Sequence, residues 1–325
     1  MRKHFTCLLL CLATLALQGC AFVNASLTQP LQPLEEKVLE GEGRPKILLI
    51  EVSGFISEKE QEGGQLSREK PSLVAQVREA LQKAEKDDEL AGVVVRINSP
   101  GGTVTASDII HHELTGFRQR KKVPVYACIT GVGASGGYYV AAASDRIFAH
   151  PTAVTGSIGV LLMTFNVEGL LGKVGVTEQT IKSGAKKDLL SPFRPGTPEE
   201  LRLVQEIIDQ LHARFVTVVL ERPGSRLTRP ELEPLADGRI FTADQALAAR
   251  LVDQVGYLDD ALADLKKAQG IERARVVTYL RPGSYRGSIY AGGAGESSPS
   301  ISLLTVNADG LGLHAGPEFL YLWRP

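Results

Sequence analysis

Cysteine is scarce in this chain, and its placement matters more than its number. Four cysteines occur in 325 residues, and three of them (Cys7, Cys11 and Cys20) fall within the first twenty positions. If the segment before Cys20 is removed and Cys20 is modified, Cys128 is the one thiol left, which excludes an internal disulfide framework. Charge of one sign is equally lacking. The chain has 36 Lys+Arg against 37 Asp+Glu, a formal net charge of −1, and no block of like charge. That balance excludes the electrostatic footprint of a nucleic-acid binder. The six histidines are scattered and no metal-ligand cluster exists, so a metal centre is not expected. The pair His111-His112 reads as a solvated or partly packed helix face. The closing apolar run Phe319-Leu320-Tyr321-Leu322-Trp323 is too short to span a membrane and is expected to dock on the fold or on a neighbour.

What is present begins with the N-terminus. Met1-Arg2-Lys3-His4 is basic, residues 5–17 are almost wholly apolar, and Leu17-Gln18-Gly19-Cys20 follows. A run this short reads as an export signal rather than a spanning helix. The Leu-x-Gly-Cys ending resembles a lipobox, which implies lipid on Cys20 and cleavage before it, although Gln18 replaces the small residue usual there. An ordinary secretory signal or an uncleaved anchor is the alternative. Ala21 after Cys20 leaves an outer-membrane destination open. The segments read as a leader (1–19), a lipidated polar tether (20–45), a folded domain (46–280), and a flexible Gly/Ser-rich segment with an apolar tail (281–325).

With 43% hydrophobic residues, the chain can bury a sizeable core. Residues 46–52 and 92–97 read as buried strands, each leading into a helical pattern, at 71–84 and 105–120. A strand ending near Ile129 follows, then a glycine-rich loop. Strand–turn–helix repeats in this order predict an α/β fold with mostly parallel strands. Residues 197–222 form a long amphipathic helix whose stripe runs from Leu201 through Val204, Ile207, Ile208, Leu211 and Phe215 to Val218 and Val219. That stripe suits core packing, a subunit interface, or both. Cys128, inside the apolar strand, is expected to be a packed structural thiol.

Three short segments carry chemistry: Asn98-Ser99-Pro100-Gly101-Gly102, Gly133-Ala134-Ser135-Gly136-Gly137, and Lys182-Ser183-Gly184-Ala185-Lys186-Lys187-Asp188. Pro-Gly-Gly after a strand is expected to form a tight turn that exposes backbone N–H groups, the kind of group that holds an oxyanion. Ser135, flanked by small residues at a helix start, suits a nucleophile. A lysine can deprotonate it only where burial keeps the amine neutral, and Lys182, Lys186 and Lys187 all compete for that role. Gly133-x-Ser135-x-Gly137 also matches the nucleophile elbow of α/β-hydrolases, with His150, His212 and His314 formally available. None of these histidines sits in a recognisable context, and residues 130–134 read as too long an approach for a sharp elbow, so that reading ranks second. A Clp-type triad lacks a histidine between His150 and His212.

Taken together with Thr155-Gly156-Ser157-Ile158-Gly159-Val160 and Ala236-Asp237-Gly238-Arg239-Ile240-Phe241, these segments resemble the signal peptide peptidase A (protease IV) family in its short, single-repeat bacterial form, over residues 46–280. The resemblance implies the Clp protease/crotonase-like fold, a superhelix of β-β-α units. It implies Ser135 as nucleophile, Lys187 as general base, Ser157 orienting the lysine amine, and the Gly102 and Gly136 amides as oxyanion hole, with no metal or organic cofactor. It further implies extended apolar peptides such as remnant signal peptides as substrates, and a homo-oligomeric ring in which serine and lysine meet across subunits. A crotonase-like acyl-CoA enzyme and an inactive membrane scaffold are the rival readings.

Overall fold

Apolar runs without alternation are what strands buried on both faces require, and here they form the middle of an eleven-stranded sheet. The computed structural model describes residues 32–60, 71–282, 288–290 and 318–323. The leader, Cys20, most of the charged loop after Ile56 and most of the Gly/Ser-rich segment lie outside the described residues. The elements are, in chain order, β1 (Glu35–Glu40), β2 (Lys46–Ile56), α1 (Leu73–Glu85), β3 (Leu90–Thr103), α2 (Val104–Lys121), β4 (Val125–Ala134), α3 (Gly136–Ala141), β5 (Arg146–Ala149), β6 (Val154–Gly156), β7 (Leu161–Leu162) and α4 (Glu168–Lys173). Then come α5 (Pro198–Leu220), α6 (Arg229–Leu232), a 3-10 turn (Glu233–Leu235), β8 (Ile240–Thr242), α7 (Ala243–Ala248), β9 (Gln254–Val255), α8 (Leu258–Ala268), β10 (Arg275–Leu280) and β11 (Phe319–Leu322).

The strand order is β1-β10-β2-β3-β4-β5-β9. Neighbours from β10 to β9 are parallel, and β1 closes one edge antiparallel to β10. The α/β expectation therefore holds. Successive residues of β2 face opposite layers: Leu48, Ile50 and Val52 pack among α1, α2 and α3, whereas Ile47 and Leu49 join Val94, Cys128 and Phe148 against α8. β1 corrects the reading of residues 20–45 as tether throughout. Its sequence, Glu-Glu-Lys-Val-Leu-Glu, is charged enough to read as linker, yet charge is what an edge strand tolerates.

Helix boundaries follow local chemistry. Ser72 accepts a hydrogen bond from the Ala75 amide to start α1, and Thr103 does the same for Ala106 in α2. α5 opens with a proline and a Thr197–Glu200 capping box. Its stripe divides: Val204, Phe215, Val218 and Val219 are buried, while Leu201 and Ile207 are exposed. Most of the buried apolar residues of that helix lie in its C-terminal half, with Val204 the buried one in its N-terminal half.

The site is made where two parallel strands part. β3 and β4 pair from Val93–Val125 up to Ser99–Gly133. Beyond that point β3 turns to β11 and the end of β4 pairs with β6. Openings at the C-terminal ends of diverging parallel strands are where α/β sheets place ligands. Pro100-Gly101-Gly102 is thus not a tight turn, as its sequence suggested; it is the extended end of β3, paired on both sides.

Cys128 is fully buried, and burial pushes its thiol up to about 12. Labelling with a thiol reagent at pH 8 should therefore leave Cys128 unmodified in the native protein and modify it fully after denaturation. Native-state labelling as fast as that of a free thiol would contradict this packing.

Candidate active site

Ser135 joins the end of β4 to the start of α3 with φ 53° and ψ −116°. A non-glycine residue held there is strained by about 1–3 kcal/mol, and such strain collects at functional sites. The backbone around it is fixed: the Ser135 N–H donates to the Gly156 carbonyl at 2.8 Å, and its own carbonyl accepts from Tyr139 N–H at 2.8 Å. The turn is therefore a sharp strand-to-helix elbow, contrary to the expectation of a longer approach. The two described histidines that an elbow enzyme could use are nevertheless engaged elsewhere. His150 packs edge-on to Tyr257, and His212 Nε2 lies 2.7 Å from the Ala236 carbonyl; His314 is outside the described residues. Among the described residues, none hydrogen-bonds the Ser135 hydroxyl.

Two glycines bring backbone amides to this serine. Gly101 has φ 105°, and a Cβ there would overlap the Tyr321 carbonyl oxygen and lie 2.7 Å from the Gly136 nitrogen. A Cβ on Gly136 would lie 3.1 Å from the Gly102 nitrogen and collide with Ser107 Oγ. The Gly102 and Gly136 amides thus adjoin, beside the nucleophile and at a helix start, where donors are unpaired. Ser99, not anticipated from sequence, sets this up: its hydroxyl donates to the Gly54 carbonyl at 2.6 Å and accepts from the Gly101 amide at 3.1 Å.

Ser157 stands next to Ser135 through strand pairing. Gly156 pairs with Ala134, and each serine is the next residue along its strand. Ser157 is buried, has φ 50°, and donates its N–H to the Arg239 carbonyl at 2.8 Å. The Ala236–Phe241 segment enters the site by this contact and by pairing β8 with β6.

Among the described residues no lysine of the same chain hydrogen-bonds Ser135. Lys182 Nζ pairs with Asp188 and Lys186 Nζ with Glu199, each at 2.6 Å. Lys187 is exposed, and no described side chain holds it. Its turn is nonetheless braced by Arg194, which donates to Asp188 from Nε and Nη2 (both 2.8 Å) and to Glu200 from Nη1 (2.9 Å) and Nη2 (2.7 Å). The guanidinium beside Asp188 holds that carboxyl well below the usual carboxylate range. Arg194 also escaped the sequence reading, because nothing local marks a guanidinium that bridges two carboxylates. Among the described residues no group of His, Cys, Asp and Glu could hold a metal ion.

Comparison with known proteins gives a consistent picture. Residues 117–272 match the profile of peptidase family S49, and residues 65–155 match that of Clp protease. A protein of Enterococcus faecium named as a signal peptide peptidase SppA is 39% identical over 248 residues, which is 75% of this chain and 70% of that protein. Serine protease SPPA, chloroplastic, of Arabidopsis thaliana is 33% identical over 244 residues, 73% of this chain and 34% of that protein. Protease 4 of Salmonella typhi is 32% identical over 217 residues, 67% of this chain and 34% of that protein. Among solved structures, a mutant of ClpP1 from Listeria monocytogenes superposes with a TM-score of 0.42 at 17% identity, over 66% of this chain and 94% of that chain. With the Clp protease profile matched on a largely parallel sheet, the α/β fold is Clp protease-like, as expected from the sequence.

The strain at position 135 has a measurable signature. Ser135→Gly should unfold at higher denaturant concentration than Ser135→Ala by about 1 kcal/mol, because only glycine relieves the positive φ. Equal stability of the two variants would place the serine in an unstrained turn.

Proposed function

The chain belongs to peptidase family S49, and from that premise we propose that it is a serine endopeptidase acting through Ser135 with Lys187 as general base. The observation that carries this reading is the strained Ser135 elbow lying against the adjoining Gly102 and Gly136 amides. In the first step a neutral Lys187 amine takes the Ser135 proton as Oγ attacks a peptide carbonyl. The Gly102 and Gly136 N–H groups hold the oxyanion. The protonated lysine then donates to the leaving amine, and a lysine-activated water hydrolyses the acyl-enzyme.

The lysine is proposed to come from a neighbouring copy. Within one chain Lys187 is exposed, whereas a lysine base needs burial. Large apolar residues lie open around it in sequence: Phe165, Leu170, Val174, Val176, Ile181, Phe193, Leu201 and Ile207. Such a concentration suits a subunit contact, and a contact there would dehydrate Lys187 and bring it to the hydroxyls of Ser135 and Ser157. Ser157 would orient the amine. Lys182 and Lys186, already engaged by carboxylates, suit the structural role better. A homo-oligomeric ring is the assembly this requires.

Substrates are proposed to be extended apolar peptides, remnant signal peptides among them, bound as an added strand. The export signal and Leu-x-Gly-Cys ending support a lipid on Cys20 and an extracytoplasmic, membrane-anchored enzyme.

Activity on a fluorogenic apolar peptide in mild detergent should fall about 10²–10⁴-fold in Lys187→Ala, be abolished in Ser135→Ala, and persist in Lys182→Ala. Mixing the Ser135→Ala and Lys187→Ala chains under conditions that let subunits exchange should restore part of the activity, since some sites would combine an intact serine with an intact lysine. No recovery on mixing would show that each chain supplies both groups.

A further inference from the structure

The pairing that carries β3 up to the site is interrupted on both of its edges, over the same short stretch. Toward β4, Ile97 pairs with Ile129 and Ser99 with Gly133, so Asn98 alone faces Thr130, Gly131 and Val132. Toward β2, Asn98 pairs with Ser53 and Gly101 with Phe55, so Ser99 and Pro100 together face Gly54. Each interruption is a bulge, and a bulge takes backbone polar groups away from their ladder partners. Pro100 adds to the deficit, because it has no N–H to give. The Gly102 and Gly136 amides and the Ser135 elbow lie just past these bulges.

The side chains of Asn98 and Ser99 close the two gaps. Asn98 Oδ1 accepts from the Val132 N–H at 3.0 Å, and Gly131 leaves room for it: a Cβ there would lie 2.7 Å from that oxygen. The Ser99 hydroxyl donates to the Gly54 carbonyl at 2.6 Å and accepts from the Gly101 N–H at 3.1 Å. Ser99 is fully buried and wedged against α3, since a Cβ on Gly137 would lie 2.7 Å from its carbonyl oxygen. One hydroxyl thus ties β2 to the residue just before Gly102. Asn98 ties β3 to the stretch of β4 that delivers Ser135.

We propose that Asn98 and Ser99 are positioning residues of the peptidase: Ser99 holds the Gly102 amide in place beside that of Gly136, and Asn98 holds the path of β4 that presents the Ser135 hydroxyl. The proposal deepens the peptidase reading above and rests on it for the oxyanion. Both side chains hydrogen-bond backbone groups and act through them. Ser99 reaches Gly102 through Gly101, so its loss is felt where charge develops on the substrate carbonyl and not where the peptide binds. A donor moved by a fraction of an ångström keeps substrate affinity and loses rate. Asn98 needs only an acceptor oxygen, which aspartate also supplies.

The test uses the full chain in its assembled form, a fluorogenic apolar peptide, and two inhibitors that differ at one group. One is a peptide aldehyde, whose addition to Ser135 Oγ sets its oxygen against the two amides; the other is the matching peptide alcohol. Ser99→Ala should lower kcat about 10- to 100-fold with KM changed by less than about twofold. It should weaken the aldehyde by a similar factor and spare the alcohol. Asn98→Ala should lower kcat, and Asn98→Asp should stay within about threefold of wild type. Ile147→Val, a buried change opposite Ala127 toward the other end of β4, should leave kcat as it is. Unchanged kcat in Ser99→Ala, equal weakening of aldehyde and alcohol, or Asn98→Asp as slow as Asn98→Ala would overturn the proposal. Should Ser99→Ala not fold, the two Asn98 variants decide it. Backbone hydrogen exchange keeps the peptidase reading separate. The Gly101 amide should exchange about fivefold faster in Ser99→Ala, and the Val132 amide in Asn98→Ala, whether or not the chain cleaves anything. A wild-type assembly that cleaves no peptide while these exchange changes appear would remove the peptidase and leave both strand ties standing.

Discussion

Backbone touching backbone at the parting of β3 and β4 is the constraint on which the rest of this structure depends. At Gly101 a single added carbon would overlap the Tyr321 carbonyl, and at Gly136 it would strike Ser107. The crowding is what lets two amides from different elements adjoin beside one serine. It also forces Ser135 into a positive φ, since β4 must leave the sheet and enter α3 within one residue. Strain at the serine and closeness of the amides are two results of the same geometry. The buried two-sided sheet beneath, with α1, α2 and α3 on one face and α8 on the other, holds that geometry against relaxation.

α5 links the ordered body to the part of the chain that carries the lysines. Its C-terminal half is core, and Phe215 packs against the rings of Tyr139 and Tyr321. Its N-terminal half carries exposed Leu201 and, through Glu200, is clamped by Arg194 to the turn bearing Lys187. One helix thus touches both the aromatic cluster around Tyr139 and, through Arg194, the lysine turn.

Much of the fold is legible in the sequence because buried parallel strands leave an unmistakable pattern. Residues 46–52 and 92–97 have little alternative to a covered sheet, and the helical patterns at 71–84 and 105–120 form helices at Leu73–Glu85 and Val104–Lys121. β1 is not legible, because an edge strand can be charged and so resembles a linker. The Pro-Gly-Gly segment misleads for a related reason. Glycine is demanded there by the nearness of Ile56 and Tyr321, which lie far away in sequence, and not by a local turn. Arg194 and Ser99 give no signal at all, since their partners are chosen by the folded path of the chain.

The sequence by itself determined the chemistry available to this protein: a serine among small residues, glycines able to bare their amides, and a lysine-rich turn. Those properties belong to residue types and short spacings, so they survive without a fold. Tertiary structure alone decided which groups meet. It set Ser135, Ser157, Gly102 and Gly136 together through pairing between β3, β4, β6 and β11, left Lys187 exposed, and turned an apolar tail into a strand whose tyrosine stacks on Tyr139. Strand register and helix packing fix distances between residues far apart in the chain, and no local pattern encodes such distances.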